Sequence, residues 1–201
     1  MAQGKGEQTR QAILTAAVHR FGRDGYRATS VADIARDAGV SGTAAYAYFP
    51  DKEALFFAAV DDDAAGLIHR GLDQVVAEAD IAEWRESALF ALVGAMADFP
   101  LAERLLAGLE PEVTARVLDL PAVAELRKAF ADRIDSDQLA GRVRPDIDPA
   151  TMASGMVSIL LSLLMSVVQL GADTITSHGA DVAAVFEAAL TPTREPARRA
   201  S

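Results

Sequence analysis

Between Thr29 and Leu55 the chain reads TSVADIARDAGVSGTAAYAYFPDKEAL, and no other stretch restricts the fold as much, because it encodes two short helices joined by a tight turn. Ser30 can cap the first helix, Asp33 stands three positions on as a capping-box partner, and Val31, Ile34 and Ala35 form an apolar stripe. Gly39 can take the positive φ that a sharp turn needs, Val40 can plug the angle between the helices, and Ser41 can cap a second helix from about residue 41. That second helix, Gly42 to Phe49, has small residues first and aromatics last. A recognition helix enters the major groove by its N-terminal residues. Gly42, Thr43 and Ala44 therefore fall where bases are read, and the Tyr46 and Tyr48 hydroxyls fall where they can reach flanking phosphates. The same helix pair also occurs in bundles that bind no DNA, so shape alone leaves both readings open. Next along the chain, Asp51 can cap a third helix whose first-turn amides, with Lys52, can meet a phosphate, while Glu53 complements the helix dipole.

The surrounding residues extend the pattern. Ile13, Ala16 and Ala17 are followed by Phe21 and Gly25, then Thr29, Ser30, Ile34 and Ala35, then Ala38 to Ser41, then Tyr46, Tyr48, Phe49, Lys52, Glu53 and Leu55. In this order and spacing, residues 9 to 57 resemble the DNA-binding domain of the tetracycline-repressor (TetR) family of bacterial transcription regulators. The resemblance implies phosphate contacts at Thr29 or Ser30, Tyr48 and Lys52, and Arg27, Ser41, Gly42, Thr43, Ala44 and Tyr46 complete the expected DNA-contacting set. Thr43 and Ala45 depart from the Gly and Leu that the family often has. With no Arg, Lys, Asn or Gln among Gly42, Thr43 and Ala44, base choice is expected to rest on apolar, backbone and shape contacts.

A net charge of −10 over 201 residues looks unsuited to a polyanionic partner, but its distribution removes the conflict. Residues 1–56 hold seven basic and six acidic residues, a net +1, which leaves −11 for the rest. A near-neutral head on an acidic body predicts weak attraction to random DNA and strong dependence on contact geometry. Cysteine is absent, excluding disulfides and cysteine-ligated zinc. Met1 to Arg10 is polar, reads as a flexible arm and carries no apolar signal sequence, so a cytoplasmic protein is expected. There is no phosphate cradle, nucleophile elbow, metal-spaced histidine pair or cysteine nucleophile; an enzyme, a cofactor and a metal site are not expected. Asp61, Asp62 and Asp63 point in different directions on a helix and read as a solvated face.

The fold class expected is all-α: an N-terminal three-helix DNA-binding domain with a helix-turn-helix (1–56), a larger helical ligand-binding and dimerisation domain (57–191), and a disordered tail (192–201). Helices are expected over 8–24, 51–79, about 81–99 up to Pro100, a short segment at 101–109, a stretch between Pro111 and Pro121, then 122–139, about 150–171 and 179–190. Residues 155–172 are uncharged and nearly long enough to span a membrane. Ser154, Ser158, Ser162 and Ser166 draw a small polar ridge along them, however, and no basic cluster flanks them, so a buried helix is the better reading. By the resemblance, the last two helices pair with their copies in a homodimer, placing Ser158, Leu161, Ser162, Met165, Val182, Val185 and Phe186 at the interface. The resemblance also implies a small-molecule pocket in the body. Trp84, Phe90, Met96, Phe99, Phe130, Met156 and Met165 are its candidate lining, or else plain core. The function implied is a ligand-responsive repressor binding a palindromic double-stranded operator and released by a small apolar or amphipathic effector; a helical adaptor or small-molecule-binding protein without DNA-binding activity is the alternative.

Overall fold

The computed structural model describes residues 4–77, 91–111, 119–171 and 173–192, apart from the side chains of 74–77 and 174–177, and every regular element among them is helical. Helix α1 (Lys5–Ala28) begins at Lys5 and not at residue 8: Gly4 is extended, and its carbonyl already accepts the Gln8 N–H at 3.1 Å. Much of the stretch read as an arm is therefore the first turns of a helix. Ile13, Leu14, Ala17, Val18 and Phe21 form the buried face, recurring at helical spacing. Gly25, at φ 82° and ψ 166°, kinks the chain before a last turn through Ala28.

The helix pair follows the caps written in its sequence. In α2 (Val31–Asp37) the Ser30 hydroxyl oxygen accepts the Asp33 N–H at 3.2 Å, and the hydroxyl donates to the Asp33 carboxylate at 2.6 Å. Gly39 turns the chain at φ 69°, and the Val40 N–H reaches back to the Ala35 carbonyl at 2.9 Å. Ser41 then accepts the Ala44 N–H at 3.1 Å and opens α3 (Gly42–Tyr48). Asp51 does the same for α4 (Lys52–Ala77), accepting the Ala54 N–H at 2.7 Å.

Beyond a helical stretch at 91–95 and a 3-10 turn (Met96–Asp98) lie α5 (Pro100–Leu106), α6 (Pro121–Leu139), α7 (Pro149–Leu170) and α8 (Asp173–Leu190). Pro100, expected as a stop, is also the first residue of α5, where its missing N–H costs nothing. α8 starts at Asp173 and not at Gly179, because the break after α7 is made by Gly171 at φ 100°. α5 packs against α1 and α4 on one side and α7 on another; α6 lies along α7 and against α4, and α8 covers part of α7. One apolar core runs through both ends of the chain, from Ile13 to Leu190.

Of the aspartate run on α4, expected to be a solvated face, Asp62 is exposed, Asp61 half-buried and Asp63 buried, and each carboxylate accepts a hydrogen bond. Asp61 accepts the Ala122 N–H at 3.3 Å, Asp62 accepts the Gln11 side-chain amide at 3.3 Å, and buried Asp63 accepts the N–H groups of Leu101 and Ala102 at 3.0 and 2.8 Å. Successive helix positions lie about 100° apart, so three neighbouring carboxylates address three different helices. The N-caps of α5 and α6 are Phe99 and Leu120, with no side-chain oxygen, and α4 supplies the missing acceptors. Burial pushes the Asp63 carboxyl above its ordinary value, and its two backbone hydrogen bonds oppose that shift.

Candidate nucleic-acid interface

α3 is anchored by a minimal contact. Ala45 is its only buried residue, Phe49 closes the space behind it under the Arg10 guanidinium, and Thr43, Tyr46, Ala47 and Tyr48 face outward. Tyr46 is 53% exposed and Tyr48 37%, unusual for aromatic side chains on a helix that packs against its neighbours. Gly42 and Ala44 are half-buried at the start of the helix, where Ser41 is exposed but uses its side-chain oxygen as the cap. A Cβ on Gly6 would lie 3.6 Å from the Tyr48 hydroxyl, so the first turn of α1 flanks α3 and brings the exposed Lys5 to that side of the head. Reading Met1 to Arg10 as an unstructured arm hid this neighbour.

The remaining candidates divide by what their side chains already do. Arg27 and Ser30 are exposed, Ser30 holding the α2 cap. Thr29 is 3% exposed, and its hydroxyl donates to the Gly25 carbonyl at 2.8 Å, so it fixes the kink from within. Lys52 is half-buried with its ammonium 4.3 Å from the centroid of the Tyr26 ring. That ring in turn packs on Phe56 at 4.8 Å, so the start of α4 is clamped to the end of α1.

In the body, Met96, Phe130 and Met156 are buried core residues, and Met165 is half-buried. The Phe99 ring closes on Gly66, where a Cβ would come within 2.5 Å of it, and lies under the Arg70 guanidinium. Trp84 and Phe90 lie outside the described residues. A wholly apolar cleft of about 40 Å³ sits between α4, α5, α6 and α7, lined by Leu67, Ile68, Leu92, Leu105, Leu126, Leu160 and Leu164 among others. Of the five described candidates, Met96, Phe99, Phe130, Met156 and Met165, none borders it. At this volume it is far smaller than the few hundred Å³ of a typical small-molecule site.

Apolar side chains stay exposed along α7 and α8, among small and acidic ones such as Ser154, Asp181 and Glu187. Ile159 is 40% exposed, Leu170 77% and Val185 59%, while Ser162 is exposed and Ser158, Leu161, Met165 and Val182 are half-buried. Phe186 is buried against the chain's own core. The serine ridge holds itself: Ser158, Ser162 and Ser166 each donate to the carbonyl four residues earlier, at 2.9 Å. These three hydroxyls are thus satisfied within the helix. α7 is long and apolar enough to cross a membrane by length and composition. It packs on α5, α6 and α8.

Residues 13–59 match the family of bacterial regulatory proteins, tetR family. No curated protein matches the chain. Among solved structures, a TetR-family transcriptional regulator from Mesorhizobium loti is 22% identical, with 94% of this chain and 100% of that one aligned at a TM-score of 0.70. One from Rhodococcus sp. is 19% identical over 92% and 100% of the two chains, at a TM-score of 0.69. The fatty acid degradation regulator FadR from Bacillus halodurans is 18% identical over 92% and 96%, at a TM-score of 0.68.

Proposed function

Since this chain belongs by its N-terminal domain to the TetR family of bacterial regulatory proteins, and is a DNA-binding regulator of that kind, we propose that it acts as a cytoplasmic, effector-released repressor on a palindromic operator. The observation that carries the reading is the outward display of Thr43, Tyr46 and Tyr48 on a helix whose one buried residue is Ala45, since a bundle helix would bury its aromatics. Thr43, Gly42 and Ala44 meet base edges; Tyr46, Tyr48, Lys52, Arg27 and Ser30 take phosphates, and Ser41 and Thr29 hold the helix ends. Residues 1–56 are the reading unit and 57–191 the controlling one.

Two copies joined through α7 and α8 give two heads related by a twofold axis, and the exposed Ile159 and Val185 support that pairing. An apolar effector enlarging the cleft between α4 and α7 would displace α4, which begins at Lys52 in the head. It acts only by preferring the arrangement that DNA does not tolerate. The regulators of the comparison include one of fatty acid degradation, which is consistent with an apolar or amphipathic effector.

Titration of the full chain against duplexes from beside its own gene, at low salt, tests the reading. Retention of one fragment, weakened by Tyr48→Phe or Lys52→Ala while the dimer persists, is expected. A chain that retains none acts through protein contacts as an adaptor.

A further inference from the structure

The kink at Gly25 leaves one peptide group exposed to capture from two directions. On the head side, the Thr29 hydroxyl donates to the Gly25 carbonyl at 2.8 Å. On the body side, the Tyr26 N–H of the same peptide unit donates at 3.0 Å to Glu110 Oε1, from 84 residues away. Arg104, on α5, donates its Nε to that same oxygen at 2.7 Å, and Glu110 is only 9% exposed. Gly25 gives this approach its room: a Cβ there would collide with the Arg104 guanidinium and stand 2.9 Å from Glu110 Oε1, at a φ of +82° that L side chains rarely adopt. The Tyr26 ring, packed against Phe21 and Phe56 and capped by Lys52, prevents the peptide from rotating away.

We propose that Glu110, aimed by Arg104, is a positioning residue for DNA reading: by clamping the Gly25–Tyr26 peptide it sets the angle at which α2 and α3 leave the body. The inference rests on the DNA-binding reading above and goes beyond it by naming the body residue that reaches the head. A charge-assisted hydrogen bond in a nearly buried site outweighs a neutral surface contact. It acts on the peptide that leads into α2, so a small rotation there moves the tip of α3. The clamp also has a route to the candidate dimer face. α5, which carries Arg104, is capped at its start by Asp63 of α4, and its Leu106 carbonyl accepts the Gln169 side-chain amide of α7 at 2.8 Å.

The test titrates wild type, Glu110→Ala, Glu110→Gln and Arg104→Met against the duplex retained in the gel shift, with amide hydrogen exchange read at Tyr26. E110A is expected to weaken binding about tenfold and to deprotect the Tyr26 amide, with helicity and dimer mass unchanged. E110Q keeps a carbonyl oxygen for that N–H and should stay within about threefold of wild type with the amide still protected. R104M, which removes one partner that aims the carboxylate, should fall between them, and it serves as the folded variant should E110A lose helicity. Affinity equal to wild type in E110A, or in R104M where E110A does not fold, overturns the clamp. So does an E110Q as weak as E110A. A wild type that retains no duplex defeats the regulator reading itself and takes the clamp with it.

Discussion

Gly25 meets two demands that no other residue satisfies together, a positive φ and an empty Cβ position facing Arg104 and Glu110. Gly25→Ala should therefore destabilise the chain by about 1–3 kcal/mol, read as a lowered midpoint in thermal or urea unfolding. Lys52→Ala works differently. It removes an ammonium from the Tyr26 ring, costing about 0.5–1 kcal/mol of stability, and should reduce the slope of log affinity against log salt by about one. An unchanged salt slope would show that Lys52 meets no phosphate. At this scale the sequence is most legible where the partner is local: Ser30, Ser41 and Asp51 are legible caps because each acceptor and its N–H lie three residues apart. The motif glycine at 25 is equally visible, but its reason is not, since Glu110 and Arg104 reach it from a distant part of the chain.

Among the elements, α4 does more than connect. Its carboxylates cap α5 and α6, whose own N-cap residues lack acceptors, so Asp63→Ala should cost about 1–3 kcal/mol by leaving two buried N–H groups unmet. Asp61→Ala, with one longer bond to lose, should cost less. Asp63→Asn keeps an acceptor and isolates the charge. Because burial raises the folded carboxyl above its ordinary 3.8, the favourable contribution of its proton is complete below that pH and is lost as pH rises through the folded value. Unfolding measured from acid to neutral pH should show D63N gaining on wild type across that rise; a gap independent of pH would contradict the assignment. Among the described residues the helices are legible from apolar spacing and caps; residues 81–90 of the helix expected at 81–99 lie outside them, as do 112–118 of the stretch before Pro121. Two starts are not legible. Gly4 offers no side-chain cap to mark α1, and Gly179 imitates a boundary that Gly171 actually makes. The reach of Asp61, Asp62 and Asp63 was invisible because periodicity reports which way a carboxylate points and not what stands there.

For the whole molecule, the exposed Ile159, Leu170 and Val185 of α7 and α8 are the proposed contact with a second copy, related by the twofold symmetry that a palindrome requires. Val185→Glu combined with Ile159→Asp should convert the dimer to a monomer by light scattering while far-ultraviolet circular dichroism stays helical; a persisting dimer would place the interface elsewhere. The acidic body and near-neutral head should also keep binding to random DNA weak. The most direct test of a two-headed DNA reader is a footprint of the full chain on the region beside its own gene, with stoichiometry measured on the protected fragment. Two chains protecting two half-sites one helical turn or a multiple apart, with protection abolished by Tyr48→Phe combined with Lys52→Ala, is the predicted result. No protected region at low salt, or protection that the double variant leaves intact, would contradict it.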